Sequence, residues 1–308
     1  MNNKSVYITE PNAIDAGQAG RQLGATGYTL VRGDTQFSNP TDDCEALLIR
    51  SATHVDATIK DHFPALKSVI RVGAGLDNID LEYCKKNGIA VFNAPGANAD
   101  AVAEYVVSMT LYATRRLYTL EKHDAATWNR FKFRGDSISG KTVGIVGFGN
   151  IGKLVHRKFQ GLGCTSFAVY DPYVPAEAIE AYEGAKAMNL DQLFEQSDIV
   201  TLHIPLTEET RYTVGVKALP LLKQGVILIN ASRGGIVDES SLLGHMPSNP
   251  KMIYIADTVE NEPHVNEALL NQENVIVTPH IASLTSGAEA AMLEQALKNF
   301  IDGKAVQL

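Results

Sequence analysis

The 308 residues predict an α/β protein with two doubly wound parallel sheets. Three observations lead there. Short apolar, β-branched runs alternate with helical segments along the whole chain, the pattern of layered α/β domains. A glycine fingerprint, Gly147-Phe148-Gly149-Asn150-Ile151-Gly152, stands between a strand-like run and a helix-like one. Five strand-like runs precede that fingerprint, so it opens a second domain.

In chain order, the first strands read as Val6–Thr9, Tyr28–Val31, Ala46–Ile49, Ser68–Arg71 and Ala90–Asn93, each bounded by polar residues or glycine. Short helices such as Leu81–Asn87 lie between them. A long amphipathic stretch, Asp100–His123, joins the two regions. The second set of strands reads as Val143–Val146, Phe167–Tyr170, Ile199–Ile204, Val226–Asn230, Ile253–Ala256 and Val275–Thr278. The closing segment, Ser286–Phe300, has apolar Ala288, Ala291, Met292, Ala296 and Phe300 at helical spacing. It has no new strand to cover, so it is expected to return to the first domain. The expected domains are 1–98 with 285–308, and an inserted 99–284. The sequence holds no internal repeat and no low-complexity tract.

Bulk properties exclude several functions. A net charge of −8 is the wrong sign for a nucleic-acid surface. No apolar run approaches the length of a transmembrane helix. The N-terminus runs into a strand-like segment without the apolar core of a signal peptide, so a cytoplasmic protein is expected. The three cysteines, Cys44, Cys84 and Cys164, are odd in number and lack metal-ligand spacing, which fits reduced structural thiols and no metal site.

The fingerprint has the context that gives it meaning. Val143–Val146 precedes it, and Ile151, Leu154, Val155 and Phe159 follow at helical spacing. Gly147 permits a tight turn, Gly149 lets backbone approach a pyrophosphate, and Gly152 lets helix pack close to strand. The first amides of the helix then face the phosphates. The run Phe167–Tyr170 ends in Asp171, 19 residues past Gly152, where a carboxylate accepts from an adenosine ribose and repels a 2′-phosphate. These residues predict a dinucleotide site that favours NAD over NADP.

Three polar clusters fall just beyond strands of the second domain, the sheet edge where ligands sit. Asn230–Glu239 contains Arg233, whose planar fork suits a carboxylate, beside Gly234 and Gly235. Asp257–Pro263 contains Glu260 and Glu262, and Thr278–His280 ends in a histidine. Singly, each has an ordinary explanation: a surface salt bridge, a solvated acidic loop, a structural imidazole. Together, Arg233, Glu262 and His280 supply the cation, carboxylate and proton carrier that hydride transfer from a secondary alcohol requires.

With these motifs in place the chain resembles the D-isomer-specific 2-hydroxyacid dehydrogenases over nearly its whole length. The resemblance is carried by Val72–Asp80, Asn93–Glu104, the fingerprint, His203–Leu206, Asn230–Glu239, Glu260–Pro263 and Thr278–Ile281. It implies a discontinuous, flavodoxin-like substrate domain, an inserted Rossmann domain, a cleft between them and a homodimer. It implies Arg233 as the substrate-binding arginine, Glu262 as the acid partner and His280 as the general acid/base. For NAD it implies Asn150 and Ile151 at the pyrophosphate, Asp171 at the ribose, His203, Pro205 and Thr210 in one loop, and Ala231 and Ser232 in another. Asp257 is expected near the carboxamide, with Ala74, Ala282, Arg233 and His280 also at the cofactor. Thr258 and Ala74 depart mildly from the family pattern. The stretch Asp100–Arg134, with Trp128, Phe131 and Phe133, would suit the dimer interface, though core packing explains the aromatics nearly as well.

The substrate is expected to be a small 2-hydroxy acid, with a phosphate at its far end. Arg50 and Ser51 close one strand and Arg71 closes another, so together they could hold a dianion; pairing of the arginines with Asp77 or Asp80 is the plain alternative. The amides of Ala74 and Gly75, with Asn98, His280 and Arg233, are expected around the carboxylate end. These positions resemble 3-phosphoglycerate dehydrogenases, implying oxidation of D-3-phosphoglycerate to 3-phosphohydroxypyruvate in serine biosynthesis. Erythronate-4-phosphate dehydrogenases share a similar Arg-Ser segment and resemble Glu262–Leu270, but the extra C-terminal region expected there does not follow Leu308. A glyoxylate/hydroxypyruvate or broad 2-ketoacid reductase, and an NAD-sensing, corepressor-like binding protein, are the remaining alternatives.

Overall fold

Five parallel strands form the first sheet: β1 (Lys4–Ile8), β2 (Tyr28–Arg32), β3 (Cys44–Ile49), β4 (Ser68–Arg71) and β5 (Ala90–Phe92). Seven more form the second: β6 (Thr142–Val146), β7 (Ser166–Tyr170), β8 (Ala185–Ala187), β9 (Ile199–Leu202), β10 (Ile227–Asn230), β11 (Ile253–Ala256) and β12 (Val275–Val277). This computed structural model describes residues 4–122 and 130–308. The chain divides into two units, one of Met1–Asn98 with Leu284–Leu308 and the other of Ala99–Ser283.

Unit 1 also holds helices α1 (Ala16–Gly24), α2 (Ile59–His62) and α3 (Leu81–Lys86), and its C-terminal helix spans Ser286–Ile301. Its sheet order is β2-β1-β3-β4-β5, the flavodoxin-like arrangement. The strands are buried on both faces, which is why Val6–Ile8 and Leu47–Ile49 read as unbroken apolar runs. Asp15 and Asp80 start α1 and α3 by accepting from the amides of Gln18 and Tyr83. The C-terminal helix covers β4 and β5, and its Phe300 ring meets the rings of Tyr28 and Phe92. Cys44 and Cys84 lie in the core of this unit.

Unit 2 holds α4 (Ala99–Thr114), α5 (Asn150–Gly161), α6 (Ala176–Glu180), α7 (Leu190–Gln196), α8 (Glu239–His245) and α9 (Glu267–Leu270); the C-terminal helix of unit 1 is α10. The sheet order is β12-β11-β10-β9-β6-β7-β8. Counted from β6, its first six strands follow the Rossmann order, and β12 adds a seventh at one edge. The order reverses where β6 pairs with both β7 and β9, which opens the ligand crevice beside the glycine fingerprint. Cys164 is buried in this unit's core.

Beyond small shifts at other strand ends, β8, β9 and α4 differ from the sequence reading. β8 is an edge strand of three residues, too short to show an apolar pattern. β9 stops at Leu202, two residues before the expected end. The stretch from Asp100 does not continue as one helix: α4 ends at Thr114, Arg116 turns left-handed (φ 55°), and a 3-10 turn follows over Leu117–Lys122. The chain returning at Asp136 takes the end of α4 by donating its amide to the Thr114 carbonyl at 2.8 Å. His123 and Trp128 lie outside the described residues. Among the described residues, no helix is long and apolar enough to cross a membrane.

Candidate active site

The glycine loop of unit 2 is shaped by contacts that only glycine tolerates. Gly147 has φ 93°, and a Cβ there would lie 2.6 Å from the His203 carbonyl oxygen. A Cβ on Gly152 would lie 2.2 Å from the Gly147 carbonyl oxygen, so the helix can seat this close only without a side chain. Gly149 is different: nothing lies within 4 Å of the space its Cβ would take. That open space, at a helix start with no side-chain cap, fits a pyrophosphate resting on the amides of Asn150 and Ile151. Phe148 anchors the loop from behind, fully buried and edge-on to Tyr182. The Asp171 carboxylate accepts from the Phe148 amide at 2.7 Å and the Tyr173 amide at 2.9 Å, which fixes its oxygens at the end of β7. These features together fit NAD.

Other residues expected at the cofactor lie in the adjacent loops of this unit. His203 donates its amide to the Val146 carbonyl at 2.7 Å, and its Nε2 meets the Thr201 hydroxyl at 2.9 Å. Burial pushes its pKa down to about 3, so the ring is neutral. Thr210 closes the following loop by donating to the Pro205 carbonyl at 2.6 Å. Ser232 donates to the side chain of the buried Asn230 at 2.8 Å, beside Ala231.

Parallel register brings the three chemical clusters side by side. Asn230 is level with Ala256, and Ala256 with Val277, so β10, β11 and β12 end together. Arg233, Glu262 and His280 follow from those ends. The His280 Nδ1 lies 3.0 Å from the Glu262 carboxylate, which leaves Nε2 to carry a proton. Both side chains are partly open to solvent, 45% for His280 and 35% for Glu262. Gly234 lets the Arg233 loop press onto the next one: a Cβ there would lie 2.1 Å from the Val259 carbonyl oxygen. Arg233 donates from Nη1 to the Ser232 carbonyl at 2.7 Å, and its own carbonyl accepts from Asn230.

Asp257 holds the histidine loop. Its buried carboxylate accepts from the Thr278 hydroxyl at 2.7 Å and from the amides of Ile281 and Ala282 at 2.8 Å each. Its carbonyl accepts from the His280 amide at 2.9 Å, and His280 sits in the left-handed region (φ 54°). Tyr105 of α4 completes the clamp, its hydroxyl 2.5 Å from that of Thr278, and burial pushes its pKa up to about 12. The expected cofactor residues Asp257 and Ala282 are thus bonded to each other. Sequence reasoning missed Tyr105 and its bond to Thr278, since no local pattern links positions so far apart.

In unit 1, Ile49 of β3 is level with Arg71 of β4, which places Arg50 and Arg71 at neighbouring strand ends. Segment 50–53 is held rigidly by Glu10, whose carboxylate accepts from the amides of Arg50 and Thr53 and the Thr53 hydroxyl. Asn78 adds two bonds, to the carbonyls of Arg50 and Thr53. Neither Glu10 nor Asn78 was singled out by the sequence. Arg50 does not pair with Asp80, which caps α3; its Nη1 donates to the Ala13 carbonyl and to Glu289 of α10, both at 2.9 Å. This pair borders a hollow of about 330 Å³ that Ile14, Gln18 and Val72 also line. The exposed Ser51 lies beside it in the chain. Asn93 donates to the Ala74 carbonyl at 2.7 Å, fixing the turn that carries Gly75, and the partly buried Asn98 closes the unit's first segment.

A glycine-loop dinucleotide site and a histidine–carboxylate dyad on one Rossmann sheet define a nicotinamide-dependent class of protein. The family model for the D-isomer specific 2-hydroxyacid dehydrogenase NAD binding domain matches residues 107–282. The chain belongs to that family, and NAD is the cofactor its glycine loop is built to hold. It is 39% identical over 252 residues to a D-3-phosphoglycerate dehydrogenase of Mycobacterium tuberculosis, covering 80% of this chain and 47% of that one. It is 37% identical over 292 residues to a hydroxypyruvate reductase of Thermotoga maritima, covering 92% and 93%. A crystal structure of a glyoxylate reductase from Paecilomyes thermophila superimposes with a TM-score of 0.84 at 28% identity, covering 98% of this chain and 95% of that one. The chain spans about half the length of the mycobacterial phosphoglycerate dehydrogenases it matches.

Proposed function

We propose that the protein is an NAD-dependent dehydrogenase that interconverts a D-2-hydroxy acid and its 2-keto acid, with D-3-phosphoglycerate as the substrate in serine biosynthesis. The observation that carries the reaction type is the 3.0 Å contact between His280 and Glu262 beyond neighbouring strand ends that also lead to Arg233. NAD, when bound, supplies the acceptor for the hydride leaving C2. His280 takes the hydroxyl proton on Nε2, and Glu262 fixes the ring through Nδ1 and stabilises the imidazolium. Arg233 holds the substrate carboxylate by a charge-assisted fork, together with the amides of Ala74 and Gly75 and the side chain of Asn98. In the reverse direction the same imidazolium returns the proton.

The phosphate would fall to Arg50, Ser51 and Arg71, a reading supported by the paired ends of β3 and β4 and by the phosphoglycerate dehydrogenase relatives. A second reading, reduction of an unphosphorylated acid such as hydroxypyruvate, is favoured by the bond from Arg50 to Glu289. The free, buried thiols fit a reducing cytoplasm, and the family resemblance supports a homodimer. The test is NADH oxidation with 3-phosphohydroxypyruvate, hydroxypyruvate, glyoxylate and pyruvate in parallel. A kcat/KM at least ~10-fold higher for the phosphorylated acid supports the first reading. A flat profile or preference for hydroxypyruvate selects the second. No turnover of any of the four sinks the dehydrogenase.

A further inference from the structure

Behind the dyad lies a second carboxylate that no step above uses. Glu239 opens α8, directly after the Arg233 loop, and is 3% exposed. Its Oε1 accepts from the Glu260 amide at 2.8 Å, while the Glu260 carboxylate accepts from the Glu239 amide at 3.3 Å. Each residue thus holds the other's backbone, a reciprocal clamp between the start of α8 and the loop after β11. Glu262 is two residues further along that loop, and Asn261 between them turns left-handed (φ 58°), so the clamp sets where the turn begins.

We propose that Glu239 is a positioning residue that sets Glu262 against His280 by fixing the backbone at Glu260. The role rests on the dyad acting as described above. Two features make Glu239 suited to it. Its side chain is buried, so no water competes for the Glu260 amide. It also follows the loop of Arg233, and Gly234 packs directly on Val259, so one element fixes the arginine loop and the acid loop together. Asp257 and Tyr105 hold the histidine loop, and Glu239 does the same for its carboxylate partner. A 1 Å error in that partner is enough to change turnover by about 100-fold.

Two variants separate reach from charge. Glu239→Gln keeps an acceptor oxygen at the same distance, whereas Glu239→Asp keeps the carboxyl group and withdraws it by one methylene. Steady-state kinetics should show E239Q within about threefold of wild-type kcat and E239D lower by ~10- to 100-fold, with KM for NADH unchanged in both. In an E262Q background the E239D loss should vanish, because a residue acting through Glu262 has nothing left to position. Hydrogen exchange read by mass spectrometry should accelerate over residues 257–264 in E239D and not in E239Q. Unchanged exchange in E239D, an undiminished E239D loss in the E262Q background, or equal losses in E239Q and E239D would overturn the proposal. The exchange readout needs no substrate, so an inactive wild type would sink the dehydrogenase reading while the clamp is still decided.

Discussion

Glu239→Gln should stabilise the protein at alkaline pH and not at acidic pH. Burial raises the Glu239 carboxyl from 4.5 to about 7; the Glu260 amide opposes that rise and the Glu260 charge adds to it. The buried phenol of Tyr254 is the other titratable group that senses its charge. The folded chain therefore favours the protonated acid. That stability is fully present below 4.5, declines as pH rises through about 7, and is absent above it. The cost of ionising the buried group is about 3 kcal/mol. Glutamine cannot ionise, so the variant escapes this loss. For a cooperative unit of this size the gap between variant and wild type should widen by about 6–12 °C in Tm from pH 4.5 to pH 8.5. Melting both proteins by circular dichroism across that range cancels the other titrating groups. A constant gap, or one that narrows as pH rises, would refute the assignment of a raised, buried acid.

His280→Asn should lower kcat by at least ~100-fold while the NADH dissociation constant moves less than about twofold, read by fluorescence titration beside turnover. Gly152→Ala would set a Cβ 2.2 Å from the Gly147 carbonyl, and should weaken NADH binding by ~10-fold or more in the same titration. Glu289→Gln should release Arg50 and raise the preference for 3-phosphohydroxypyruvate over hydroxypyruvate roughly fivefold, the modest size reflecting a pair that is partly open to solvent. An unchanged ratio would show that Arg50 does not meet the phosphate.

Most strands were legible because parallel strands buried on both faces leave continuous apolar runs; the two sheet types were implied by the family resemblance. The glycine loop was legible because its three glycines, strand and helix are contiguous. β8 was not, since Ala185–Ala187 pairs along one edge only and needs no apolar stripe. Nor was the end of α4, which is set by Arg116 turning left-handed and Asp136 returning from 22 residues away. The chemical trio Arg233, Glu262 and His280 could be read from residue types beyond strand ends. The long-range pairs could not: Tyr105 meets Thr278 across 173 residues, and Arg50 meets Glu289 across 239. Their chemistry is ordinary wherever it occurs in a sequence, and only the fold makes them neighbours.

The three thiols give the chain separate reporters of opening. Cys44 and Cys84 lie in the core of unit 1, where burial pushes both thiols up to about 11, and Cys164 lies in the core of unit 2, also raised by burial. A thiol that is protonated and sealed reacts only when its surroundings unfold. Alkylation at neutral pH therefore times excursions of each unit without any introduced label. Modification at Cys164 ahead of Cys44 and Cys84 would mean that the cofactor-bearing unit breathes first, and the reverse order would mean that it is the sturdier half. Added NADH should slow whichever excursion disrupts its loop, so ligand protection can be mapped onto one unit by mass alone.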